Sequence, residues 1–118
     1  MLTIIAALTL ATATVPAQAA ALPALTPPQT MALRCSVVFA RGARMQADRN
    51  PAAAGWPPLA LRGKDYFVRV LARLMDDTGA GRDALAALAA RELPGLKDNT
   101  ALAAAMPGCL SLLDASGS

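Results

Sequence analysis

The two cysteines, Cys35 and Cys109, are the most reactive side chains in this chain of 118 residues, which contains no histidine. Two thiols can form a structural disulfide, remain free and buried, or act as a redox pair. A redox-active pair usually has close spacing such as C-x-x-C, whereas residues 36 to 108 lie between these two. Cysteines of exported proteins most often pair with each other, and residues 1–19 have the pattern of an export signal, as described below. We therefore expect a structural disulfide between Cys35 and Cys109 within one molecule.

Other side chains offer little catalytic chemistry. The absence of histidine removes the commonest general base and metal ligand, and two distant cysteines do not make a zinc site. No nucleophile elbow, phosphate loop or dinucleotide fingerprint occurs. Asp76 and Asp77 are adjacent, and adjacent residues on a helix point apart. We predict no catalytic residues, no metal and no cofactor; a small hydrolase using Asp65 or Asp76 is the alternative from the enzyme class.

Residues 1–19 have the pattern of a secretory signal peptide. An apolar run extends to Val15, Pro16 breaks it, and residues 17–19 read Ala-Gln-Ala, a small-x-small cleavage site. The absence of Lys and Arg before this run is atypical of a signal peptide. The alternative interpretation of the segment is an uncleaved membrane anchor. Because the run is shorter than the roughly 20 residues of a spanning helix, we expect no stable membrane span after cleavage. The predicted location is the periplasm or the secreted medium.

The remaining chain has the composition of a small helical domain. Hydrophobic residues make up 55% of the sequence and aromatic residues 3%, and much of the hydrophobic fraction is alanine, which favours helix. No β-alternating run of useful length occurs. We predict an all-α fold, a small bundle of four to five helices tied by one disulfide. Residues 20–28 are expected to form a flexible Pro/Ala leader and residues 29–118 a single helical domain.

The first predicted helix organises the rest. It contains a set of residues at spacings of four, three, four and three, which places them on one helix face: Met31, Cys35, Val38, Gly42 and Met45. Thr30 is its expected N-cap, because Pro27 and Pro28 disfavour an earlier start.

Three further helical regions follow. The second helix opens at Pro58 and turns Phe67 inward with Leu59 and Leu74; a third runs from about Arg82 to Leu93. Pro107 disfavours helix at the residue before it, so we expect a break or a kink there, between a helix at 100–105 and a last helix at 108–114. A single kinked helix is the alternative, because the apolar spacing continues across the proline.

Five residues are candidates for binding a partner. Arginines line one side of the second helix, and the chain's large amphipathic rings lie close by; together the candidates are Trp56, Arg62, Tyr66, Arg69 and Arg73. A solvated face laced with aspartates is the simpler interpretation of the arginines. The net charge of the chain, +3, is small, and the basic residues are scattered along the sequence. We therefore do not expect nucleic-acid binding.

The layout resembles small exported helical proteins of bacteria. The resemblance is carried by Leu33-Arg34-Cys35 in an early helix, Tyr66-Phe67 in a central helix and the late Cys109. It covers most of the mature chain and implies no activity. In size and cysteine count alone, the chain is also similar to periplasmic acid-stress chaperones and to helical immunity proteins of secretion systems.

These observations favour a periplasmic binding or accessory protein that acts through protein contacts. The expected partner is another protein of the cell envelope. A periplasmic stress chaperone and an immunity-type inhibitor are the alternatives.

Overall fold

The computed structural model describes residues 22–117, and in that range it contains helices and no strand. Four α-helices follow one another along the chain: α1 (Pro27–Ala47), α2 (Ala60–Thr78), α3 (Arg82–Glu92) and α4 (Asn99–Ala115). Short 3₁₀ turns lie at Pro51–Ala53 and Pro94–Leu96. The predicted all-α fold with one disulfide is confirmed. The predicted signal peptide lies outside the described residues. None of the helices from residue 22 to 117 has the length and apolar character needed to span a membrane.

Helix α1 is the central element of the bundle. Its residues Cys35–Phe39 are buried without interruption, together with Leu33, Gly42 and Met45. Five consecutive buried residues cannot all lie on one face of a helix. The burial follows because α1 packs against all three other helices, α2 and α4 above all.

The start of α1 differs from the prediction. Thr26, and not Thr30, is the N-cap, and the helix begins at Pro27. The Thr26 hydroxyl accepts a hydrogen bond from the Gln29 amide (3.3 Å), and the Thr26 amide donates to the Gln29 side chain (2.9 Å). This is a capping box. Proline suits the first helical position because no intrahelical amide bond is needed there, so Pro27 starts the helix where it was expected to prevent one.

The disulfide between Cys35 and Cys109 joins α1 to α4, as predicted. The two Cα atoms lie 5.2 Å apart, within the range that a disulfide spans. Both cysteines are buried in the main core cluster, beside side chains such as Phe39 and Met106. The bridge therefore ties the central helix to the last one from inside the core.

Helix α4 runs as one helix through Pro107, so the prediction of two separate helices on either side of the proline is wrong. Leu102, Met106, Cys109 and Leu113 form its single buried face, as the alternative of a continuous helix requires. Pro107 lies on the exposed side, where water can solvate the carbonyl that its missing amide leaves unbonded. At the start of the helix, the Asp98 carboxylate accepts hydrogen bonds from two first-turn amides.

A second, smaller core cluster lies where α1 begins, α2 ends and α3 begins. Leu33, Leu74 and Leu85 bring α1, α2 and α3 together there. Gly79 ends α2 with a φ of 70°, a left-handed conformation that costs glycine little. That cap lets the chain reverse into α3 within a few residues.

Gln46 fixes the approach of α2 to α1. Its side-chain amide donates to the carbonyls of Trp56 (3.3 Å) and Pro57 (2.8 Å), and its side-chain carbonyl accepts from the Leu59 amide (3.0 Å). The Leu59 amide would otherwise lack a helical partner, since Leu59 is the N-cap of α2. One side chain of α1 thus sets the position at which α2 begins.

Candidate functional site

The two predicted aromatic anchors lie in or against the core. Tyr66 is 4% exposed and packs edge-to-face on Phe39, with ring centroids 5.2 Å apart. Trp56 is half-buried and packs against the same core cluster. Tyr66 was expected to be available to a partner and Phe67 to be buried, yet Phe67 is 37% exposed. The inward ring is therefore Tyr66, and the ring left at the surface is Phe67.

The three predicted arginines share one side of α2, and Arg62 and Arg69 contact residues at the C-terminal end of α4. Arg62 pairs with Asp114 at 2.9 Å, and Arg69 pairs with Asp65 one turn earlier at 3.1 Å. Arg73 is exposed further along the helix. Exposed pairs of this kind contribute about 0–1 kcal/mol each. These arginines form a solvated, partly neutralised border rather than a concentrated positive patch.

Beside these arginines, α2 presents a line of exposed apolar side chains that the sequence did not predict as a binding surface. Leu61 is 84% exposed, Val68 55% and Met75 37%. Residues seven apart lie almost above one another on a helix, so the three form one stripe over four turns. We call Leu61, Val68 and Met75 the outer stripe of α2. Seven-residue spacing of apolar side chains is the pattern by which a helix packs against another helix.

A second feature is an open groove of about 590 Å³ between α1, α2 and α3. We call it the three-helix groove. Its walls are largely apolar: α1 contributes Val37 and Ala40, α2 contributes Gly63 and Phe67, α3 contributes Ala90, and Leu93 follows at the C-cap of α3. Small side chains produce it, because alanine and glycine fill little of the space between helices. Its volume falls within the roughly 300–1,000 Å³ of small-molecule sites.

The charged residues that line the three-helix groove are all cations. Arg41 and Arg44 come from α1 and Lys64 from α2, and no acidic residue is among the described residues lining it. Arg41 donates to the Lys97 carbonyl (3.3 Å), while its Nε is buried without an acceptor among residues 22–117. Arg44 has a loose pair with Asp48 at 3.4 Å on open surface. The groove thus combines an apolar interior with a positive border.

Three observations bear on catalytic chemistry. Asp65 and Asp76, the carboxylates considered for a hydrolase, are both on open surface, and Asp65 faces Arg69. Burial raises the pKa of Tyr66 above its ordinary value of 10.0 by removing water from the phenol. Within residues 22–117, no three histidine, cysteine, aspartate or glutamate side chains cluster so as to hold a metal ion.

Comparison with known protein families, with curated proteins and with solved structures found no match to this chain.

Proposed function

We propose that this chain is an exported, disulfide-tied binding protein that acts through protein contacts and not through catalysis. The outer stripe of α2 carries the proposal. Leu61, Val68 and Met75 expose apolar side chains at helix-packing spacing along a helix whose opposite side is already buried by Tyr66 and Leu74. Side chains arranged in this way suit a partner that lays an amphipathic helix against α2.

Export is the companion part of the proposal. Its support is the apolar run and the Ala-Gln-Ala motif of residues 1–19, together with the Cys35–Cys109 disulfide. Disulfides persist in oxidising compartments and are rare in reducing ones. The proposed partner is therefore a helical protein of the cell envelope.

The proposal can be tested by co-purification with a variant that changes only the outer stripe. Leu61 is the second residue of α2, whose first turn contains no acidic residue. Leu61→Asp removes an apolar side chain from the surface proposed to contact the partner. It also places a carboxylate in the first turn of α2, where the helix dipole favours it, so the variant should fold as well as the parent chain. Ala104→Asp, at an exposed position of α4, is the matched control.

The expected result is a stoichiometric envelope protein that co-purifies with the parent chain and with Ala104→Asp. Burying a leucine is worth about 1.5–3 kcal/mol, so Leu61→Asp should weaken the complex at least about tenfold. Recovery of the same protein with all three chains, or of none with the parent chain, would contradict the proposal. Robust turnover of a small substrate by the purified protein would contradict its non-catalytic part.

A chaperone is the second candidate, because the outer stripe offers apolar surface without any unfolding. Such a protein would suppress the aggregation of several unrelated unfolded clients, and Leu61→Asp would reduce that activity toward all of them. A single partner retained among folded envelope proteins favours the accessory function instead.

A further inference from the structure

We propose that the three-helix groove binds a single-chain carboxylate amphiphile, such as a free medium-chain fatty acid, with its chain along the apolar walls and its carboxylate at the cationic border. The site is separate from the outer stripe of α2, since Leu61, Val68 and Met75 do not line the groove. The inference is therefore independent of the proposed function.

The interior of the groove fits an alkyl chain. Ala40, Phe67, Ala90 and Leu93 are exposed to solvent and face this one concavity from three helices. Small-molecule sites are typically concave and mostly apolar, with a few polar groups that orient the ligand. A flexible chain can follow walls of alanine and phenylalanine, and each methylene that it buries is worth about 0.8 kcal/mol.

The border of the groove selects the sign of the ligand's charge. Arg41, Arg44 and Lys64 line it, without an acidic residue among the described lining residues. Lys64 has no ion pair within residues 22–117, and Asp48 contacts Arg44 only at 3.4 Å on open surface. An apolar ligand with a carboxylate head would complement both the walls and this border. A cationic head would be repelled by all three side chains.

The short length of the groove favours a small amphiphile over a second protein as its occupant. The lining extends along α2 from Leu59 to Phe67, which at 1.5 Å per residue is about 12 Å. That length is about two helical turns, short for a protein docking surface and suited to a medium alkyl chain.

The test measures binding of dodecanoate to the full chain as the cell produces it, with the disulfide intact, by isothermal titration calorimetry below the micellar concentration. Dodecyltrimethylammonium and dodecanol serve as probes with the same chain and a positive or uncharged head. Two variants distinguish the contribution of the apolar walls to binding from that of the cationic border. Ala90→Phe fills the groove from α3, and Ala104→Phe on α4 is its matched control; Lys64→Gln removes one cation without changing the walls.

We expect saturable binding of one dodecanoate per chain, lost in Ala90→Phe and retained in Ala104→Phe. Lys64→Gln should weaken dodecanoate about two- to fivefold, as for an exposed ion pair, and leave dodecanol unchanged. Octanoate should bind at least about tenfold more weakly than dodecanoate, since each buried methylene is worth up to about fourfold.

Several results would overturn the inference. Equal affinity for the three head groups would show a generic apolar surface, and equal loss in Ala90→Phe and Ala104→Phe would place binding elsewhere. A dimer that Ala90→Phe dissociates, with no dodecanoate binding, would assign the groove to a second copy of the chain. Because none of these results involves Leu61, the protein-contact proposal would stand or fall separately.

Discussion

Gly63 of α2 lies against Phe39 of α1 so closely that a Cβ atom added to Gly63 would be 2.9 Å from the Phe39 Cβ. Real Cβ atoms essentially never approach that closely, and the Phe39 Cβ cannot rotate away because it is next to the backbone. The absence of a side chain at Gly63 therefore sets the distance between α1 and α2. The same approach brings Tyr66, one turn later, onto the Phe39 ring.

We predict that Gly63→Ala and Gly108→Ala change stability in opposite directions. Alanine favours helix over glycine by about 1 kcal/mol, but at Gly63 the overpacking costs about 1–3 kcal/mol, so the variant should be destabilised. Gly108 lies in α4 with no atom near its added Cβ, so Gly108→Ala should be stabilised by about 0.5–1 kcal/mol. Urea unfolding measures both. A stabilised Gly63→Ala would show that α1 and α2 do not pack at this distance.

Reduction of the disulfide should lower stability substantially. If the bridge acts by constraining the unfolded chain, closing a loop of about 75 residues is worth about 4 kcal/mol. For a domain of about 100 residues that corresponds to a fall of about 15–30 °C in melting temperature. Thermal melts followed by circular dichroism, with and without reductant, measure the change.

The matched variants for the bridge are Cys35→Ala and the double variant that also carries Cys109→Ala. They should melt alike, because either removes the same cross-link, and neither should respond to reductant. A parent chain that melts at the same temperature with and without reductant would contradict the stabilising function of the bridge.

The sequence predicts the α1–α4 connection well, for a reason visible in its spacing. Cys35 and Cys109 each lie in a regular series of apolar residues, and such a series fixes which side of a helix is buried. Leu59 and Leu74, which the spacing on α2 also predicts to face inward, are likewise in the core. It gives α1 too late a start because Thr26, Pro27 and Gln29 form a cap whose residues lie outside the apolar series.

The ring pair on α2 shows where that reasoning stops. Tyr66 and Phe67 are neighbours, about 100° apart around the helix, and both flank the boundary of the apolar side. Which ring is buried depends on where α1 lies, and thus on the contact of Gly63 with Phe39. The three-helix groove was missed for a similar reason. Spacing tells which side of a helix is apolar, whereas the groove depends on how three helices splay around Ala40 and Ala90.

Burial of Tyr66 should make the free energy of unfolding fall as pH rises in the alkaline range. The pKa of the phenol is raised in the folded protein because the ionised form loses hydration on burial. The unfolded chain therefore releases this proton more readily than the folded one. The stabilising contribution is complete below the unfolded value near 10.0 and is lost as pH rises from there through the folded pKa.

The free energy of unfolding in urea, measured between pH 8 and 11 for the parent chain and for Tyr66→Phe, tests this dependence. The parent should lose stability relative to the variant only above about pH 10. All ionisable groups other than Tyr66 are present in both chains, so their contributions cancel in the difference. A difference that stays constant across the range would show that Tyr66 ionises as freely in the folded protein as in the unfolded one.

The measurement that most directly tests protein contact through the outer stripe is site-specific photocrosslinking in living cells. A photoreactive amino acid replaces Val68 in the centre of the stripe, or Ala104 on the exposed side of α4 as the control. We predict one discrete cross-linked product between position 68 and another envelope protein, absent from position 104 and lost when Leu61→Asp is added. Identical products from both positions, or none from position 68, would contradict the account.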